Sequence, residues 1–193
     1  MKHTNFSKKW LLLGLGLGLG LGAWYLNVRQ AQAQQTQKIV DYVDPQKLLG
    51  SWYELARLPN IFQKDDWVGA QDHYQLSETG LKVRYTYHEK SFEAPEKGFD
   101  ATMWRDKQDE PTGKFKYQAI WPFVSDYWVI DLDPNYEYLV VGFPDRSMLW
   151  IMSRSPELPD DVYQQIVSRA QTQGYDTSRL IRVPQRSEAN TAS

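Results

Sequence analysis

The sequence predicts an all-β protein: an eight-stranded antiparallel up-and-down barrel with one C-terminal amphipathic helix packed outside it. Three observations carry this expectation. From Leu48 onward apolar and polar residues mostly alternate with a period of two, the pattern of half-buried strands. Short turn-forming clusters separate the alternating stretches, and they are too short for the crossovers that parallel strands need. A single segment, Asp160 to Gln173, changes to a helical period.

The strands are expected at 51–58, 68–77, 81–90, 98–106, 114–121, 127–132, 137–143 and 147–153. Leu81, Val83, Tyr85 and Tyr87 alternate with Lys82, Arg84, Thr86 and His88, which places Arg84 on the outer face. Phe115, Tyr117, Ala119 and Trp121 alternate with Lys116, Gln118 and Ile120. The separators Glu78-Thr79-Gly80, Pro111-Thr112-Gly113, Asp133-Pro134-Asn135 and Pro144-Asp145-Arg146 have turn chemistry. In the helix, Val162, Tyr163, Ile166, Val167 and Ala170 share one face, Asp160 and Asp161 suit its positive end, and Gly174 stops it. That face needs a partner, and the outer wall of a sheet is the one available. Closing eight strands into a barrel removes exposed edges and leaves room for either packed side chains or one small ligand.

Residues 1–33 read as an export leader. Lys2, Lys8 and Lys9 precede the apolar run Trp10 to Leu26, and Ala31-Gln32-Ala33 has the small-x-small form of a cleavage site. The alternative is an uncleaved membrane anchor, since Trp10 to Val28 is 19 residues, within the range that spans a bilayer. Either fate exports the remainder, as a polar linker at 34–37, a barrel domain at 38–183 and a flexible tail at 184–193. Membrane association then depends on the N-terminal apolar segment.

Composition narrows the function. With 22 Lys and Arg against 24 Asp and Glu, the chain has no positive field for nucleic acid. Cleavage after Ala33 would make the net charge −6. The absence of Cys excludes disulfides, thiol chemistry and lipid attachment through that residue, and three His are too few for a multi-histidine metal site. Asp65-Asp66, Asp131/Asp133 and Asp160-Asp161 lack the ligand order of a calcium loop. No Gly-x-Ser-x-Gly motif or glycine-rich phosphate loop occurs, so neither an enzyme nor a cofactor is expected. Aromatics, at 14% of the chain, are the unusual feature. Tyr85, Tyr87, Phe99, Trp104, Tyr117, Tyr138 and Trp150 are candidates for lining an apolar pocket with a few polar groups, or for filling the barrel as core. Their inward face follows from alternation, which a bulge would invert.

Four blocks in order resemble the lipocalin family, in its bacterial outer-membrane and apolipoprotein-D-like branch. They are Leu49-Gly50-Ser51-Trp52-Tyr53-Glu54-Leu55-Ala56-Arg57; Trp121-Pro122-Phe123 with Ser125 to Leu132; Leu149-Trp150-Ile151-Met152-Ser153-Arg154; and Gly174-Tyr175-Asp176-Thr177. The resemblance implies that Trp52 closes the narrow end of the barrel, that Arg154 lies across its indole, and that Gly50 permits the turn into the first strand. Asn60, Phe62 and Gln63 then belong to the loop that roofs the mouth. It further implies a fatty acid or lysophospholipid ligand, polar end near the mouth, carried in the periplasm or cell envelope, and it admits a homodimer formed through the mouth. The alternative is a packed barrel serving structure or protein interaction without a lipid. The branch usually carries a Cys-linked lipid anchor, which this sequence has no Cys to form.

Overall fold

The computed structural model describes residues 37–105 and 112–186. The expected leader lies outside these residues. Alternation builds the wall: β1 (Gly50–Arg57), β2 (Trp67–Ser77), β3 (Gly80–Glu89), β4 (Lys97–Arg105), β5 (Lys114–Ile120), β6 (Phe123–Leu132), β7 (Tyr138–Gly142) and β8 (Leu149–Ser153) run in order, each antiparallel to the next. β1 pairs with β2 through Trp52↔Asp72 and with β8 through Tyr53↔Ser153, so the sheet closes on itself. An up-and-down barrel with no open edge results.

Side chains separate into two apolar layers. Trp52, Tyr74, Leu81, Val83, Met103, Phe115, Val129, Leu139 and Met152 are packed inside the barrel. Outside, Ala56, Ile130, Val140, Leu149 and Ile151 meet Tyr163, Ile166 and Ala170 of the helix α2 (Asp160–Thr172). Ile166 is fully buried there, which contributes roughly 1.5–3 kcal/mol. Asp160 and Asp161 occupy the first turn of α2, and Gly174 follows its end at φ +90°.

β1 departs from strict alternation. A bulge between Glu54 and Ala56 turns Ala56 toward α2 while Glu54 and Arg57 both face inward, 2.8 Å apart. Three short elements carry no periodic signal and are absent from the sequence expectation: α1 (Pro45–Leu48), a 3-10 turn (Thr177–Arg179) and β9 (Ile181–Arg182), which pairs with β1 through Ala56↔Arg182. β6 begins at Phe123, four residues before its expected start, because Phe123 and Val124 are both exposed and break the alternation. The chain after β9 is also built in. Where direct pairing of β1 with β2 ends at Tyr53↔Gln71, the buried Gln185 donates from Nε2 to the carbonyls of Glu54 (2.8 Å) and Ala70 (3.0 Å). The first residues of the expected tail therefore bridge two strands of the wall.

Candidate functional site

The interior has a plugged end, a polar middle and an aromatic mouth. At the plugged end α1 lies below the barrel, and the indole of Trp52 donates to the carbonyl of Leu48 at 2.8 Å. Arg154 covers Trp52 with its guanidinium 3.9 Å from the ring centre, and donates to the carbonyls of Ser51 (2.8 Å) and Lys47 (2.7 Å). A guanidinium so placed gains a cation–π contact and neutralises carbonyl ends of the chain. Gly50 takes φ +91°, a conformation that other residues rarely adopt.

Above this floor stands a layer that the sequence reading did not foresee. Glu54 on β1 is 1% exposed and Arg57 is fully buried. Gln63 descends from the β1–β2 loop, where Asn60 accepts from the amides of Phe62 (2.9 Å) and Gln63 (3.1 Å) and shapes the turn. Gln63 Nε2 donates to Glu54 (2.8 Å) and to the Tyr85 hydroxyl (2.6 Å), its Oε1 accepts from the Trp150 indole (2.8 Å), and Tyr85 donates to Glu54 (3.1 Å). Beside this group, Tyr74 donates to Asp72 Oδ2 at 3.0 Å and is 2.7 Å from the Tyr127 hydroxyl. Burial raises the pKa of Glu54, against the opposing pull of the Arg57 charge. Burial also pushes Asp72 up to about 7, with the Glu54 charge adding to the rise and the Tyr74 hydroxyl opposing it. The signal was available: Glu54 stands two residues from Trp52 and Asp72 directly opposite it, so parity puts both carboxyls inside.

The expected lining residues divide by face. Tyr85, Tyr87, Phe99, Tyr117 and Trp150 share the inward parity of Val83, Ala101, Phe115 and Met152; Tyr85 and Tyr87 pack in one apolar cluster with Trp67, and Tyr117 and Trp150 pack against the main interior cluster. Tyr87 stacks on Trp67 at 3.5 Å between ring centres, Tyr85 lies 5.0 Å from Phe99, and Tyr117 lies 5.8 Å from Tyr127. Tyr117 keeps accessible surface although burial holds its hydroxyl well above the ordinary phenol range.

Two expected lining residues lie outside. Trp104 follows the inward Met103 and pairs with Lys116, whose ammonium reaches Asp126 on the outer face at 2.7 Å. Tyr138 packs under α2, its hydroxyl accepting from Arg169 at 2.9 Å. In Tyr138-Leu139-Val140-Val141 every residue is apolar because the helix covers the outer face, so period two gives no direction there. Of the mouth-loop residues, Asn60 and Gln63 are structural partners of the polar layer, whereas Phe62 is exposed. Ile61 (90% exposed), Phe62, Ile120, Trp121 (83%) and Phe123 form two apolar tips on opposite sides of the mouth. Arg84 sits outside against Asp100 at 3.3 Å, in a furrow of the outer wall with His73 and Lys82. Among the described residues no three metal-ligating side chains gather, and no helix is long and apolar enough to cross a membrane.

A closed meander with a plugged floor and an aromatic mouth is the architecture of barrels that take small apolar ligands. Comparison with known proteins agrees. The family model described as a lipocalin-like domain matches residues 43–185. The chain is 33% identical over 168 residues to temperature-induced lipocalin-1 of Arabidopsis thaliana, covering 80% of this chain and 88% of that protein. It is 32% identical over 156 residues to the outer membrane lipoprotein Blc of Escherichia coli, covering 76% and 82%. Among solved structures, insecticyanin from the tobacco hornworm Manduca sexta superposes with a TM-score of 0.62 at 19% identity, covering 80% of this chain and 86% of that one. The chain belongs to the lipocalin family. A lipocalin-like barrel of this kind is capable of binding small hydrophobic ligands.

Proposed function

We propose that this protein carries a single-chain lipid, a fatty acid or a lysophospholipid, in the bacterial cell envelope. The observation that carries the reading is the inward aromatic group Tyr87, Phe99, Tyr117 and Trp150, which keeps accessible surface above a plugged and hydrogen-bonded floor. Each methylene removed from water there contributes roughly 0.8 kcal/mol, so a chain of about 14 carbons has ample gross driving force before ordering costs are subtracted. The resemblance to proteins named as outer membrane lipoproteins supports an envelope location. The sequence has no cysteine to bear a lipid, so an anchored form would depend on its N-terminal apolar segment. Titration with fatty acid or lysophospholipid, followed by tryptophan fluorescence, is expected to saturate at one equivalent. Absence of saturable uptake would remove the reading.

One observation favours the packed-barrel alternative. The contacts Tyr74–Tyr127 and Gln63–Trp150 cross the interior and fill its middle with side chains. Under that reading neither lipid class binds. The apolar tips at the mouth support pairing of two copies there, which sedimentation with and without Trp121→Ser checks.

A further inference from the structure

The β5–β6 hairpin outgrows the barrel. Its last pairing with β4 is Thr102↔Gln118 and its last with β7 is Trp128↔Gly142, so beyond these rungs it pairs only with itself. No residue from Tyr117 to Ser125 carries a charge, and the flanking Lys116 and Asp126 neutralise each other at 2.7 Å. The register changes from Tyr117↔Ser125 to Ile120↔Phe123, which places one extra residue on β5. Past this bulge Ile120 and Phe123 share the face of the interior Tyr127, while Val124 turns outward and Trp121 lines the furrow of the outer wall. Both faces of the tip are accessible: Ile120 is 64% and Phe123 75% exposed on one, Trp121 83% and Val124 49% on the other. Half-way round the ring, the β1–β2 loop presents Ile61 and Phe62 at the same end of the barrel, and no residue from Leu58 to Gln63 is charged. The other two mouth loops differ, since β3–β4 carries Lys90, Glu93 and Glu96, and β7–β8 carries Asp145 and Arg146.

Single apolar side chains on a surface need no explanation, but two uncharged apolar knobs at one end of a barrel do. A lid closing on the mouth, or a second copy pressed against it, would cover Ile120 and Phe123 and leave Trp121 and Val124 in water. Apolar residues on both faces of a hairpin call for surroundings that are apolar on both sides. A lipid surface supplies them, and it deforms around two separate knobs without needing matching cavities. We propose that the mouth end of the barrel docks on a lipid surface, with the β5–β6 tip and the Ile61–Phe62 loop entering its interfacial layer. Trp and Phe suit that layer. The unpaired edges of the hairpin stop it there, because backbone groups without partners are costly in the hydrocarbon core. The charged loops between the knobs lie among the headgroups. With no charge on either knob, docking needs no anionic lipid and resists salt. It goes beyond the lipid-carrier reading and holds whether or not the barrel contains cargo.

The sequence has no cysteine, so Phe123→Cys, Ile61→Cys and, at the plugged end, the exposed Ser155→Cys can each carry one environment-sensitive NBD label on the full chain. Each label reports only its own surroundings, so attachment through the N-terminal apolar segment leaves the readout intact. On phosphatidylcholine vesicles the labels at Phe123→Cys and Ile61→Cys are expected to shift to the blue, at low and high salt alike, and to be quenched more by a spin label at headgroup depth than by one at mid-chain. The label at Ser155→Cys keeps its aqueous emission. Adding Trp121→Ser and Val124→Ser, both on the outward face of the tip and outside the core, is expected to remove most of the Phe123→Cys shift. Aqueous emission at Phe123→Cys in the presence of vesicles, an equal shift at Ser155→Cys, or a shift that survives the two serines overturns the inference. A blue shift that grows with protein concentration in the absence of vesicles also overturns it and assigns the tips to a second copy.

Discussion

Replacing Asp72 by Asn should stabilise the protein, and only at neutral and alkaline pH. In the folded chain burial holds the Asp72 carboxyl near 7, against an ordinary value of 3.8. Between those pH values the folded state keeps a proton that the unfolded chain has released. The raised pKa therefore leaves stability complete below about pH 4, erodes it as pH rises toward 7, and costs a constant amount above that. At about 1.4 kcal/mol per pH unit the loss amounts to about 4 kcal/mol, to order of magnitude. The carboxamide of the Asp72→Asn variant has no such proton to lose. With a urea slope of about 2 kcal/mol per molar, the variant's midpoint at pH 8 should lie about 2 M above that of the wild type, and the two should coincide near pH 4. Tryptophan fluorescence reads the transition, and the lack of any disulfide makes the unfolding free of thiol exchange. Equal midpoints at pH 8, or the same advantage at pH 4 as at pH 8, would refute the electrostatic reasoning, the second outcome assigning the gain to packing.

Other expectations follow from the same geometry. Arg57→Met takes away the charge that opposes the burial of Glu54, and should cost about 3–5 kcal/mol in urea unfolding; adding Glu54→Gln should recover most of it. Arg154→Ala removes the guanidinium over Trp52 and two charge-assisted hydrogen bonds to carbonyls, an expected loss of about 2–3 kcal/mol by the same assay. Gly142→Ala would set a Cβ 1.9 Å from the Tyr175 hydroxyl and break that group's bond to the Phe143 carbonyl, for about 2–3 kcal/mol read as a lowered melting temperature. Phe99→Ala, at an inward position that is 36% exposed, should weaken lipid uptake about tenfold while moving the urea midpoint little.

The wall of the barrel was legible because its residues obey one rule. Leu81-Val83-Tyr85 and Phe115-Tyr117 alternate cleanly against charged neighbours, and closure followed from the number of strands and the short turns. The rule gave no direction where α2 makes the outer face apolar as well, which is why Tyr138 stands outside. Trp104 follows an inward Met103, so the parity of its own strand contradicts an inward assignment. The polar layer escaped for a different reason. Buried carboxyls violate the equation of inward with apolar, and the bulge at Glu54/Ala56 lets Glu54 and Arg57, three residues apart, share one face. Gln63 was legible only as a loop residue, because its descent to Glu54 and Trp150 depends on contacts distant in sequence. Positions that break a local pattern concentrate where a fold is specialised, and here they lie in the polar middle of the barrel interior.

The most direct measurement is mass spectrometry of whatever organic extraction releases from protein purified out of its native envelope. A single-chain lipid near one equivalent per barrel, displaced when an added lipid of the same class saturates the protein, is the predicted result. Protein that releases no lipid from repeated preparations, and whose tryptophan fluorescence ignores every single-chain lipid added, would show that the aromatic hollow is a packed core.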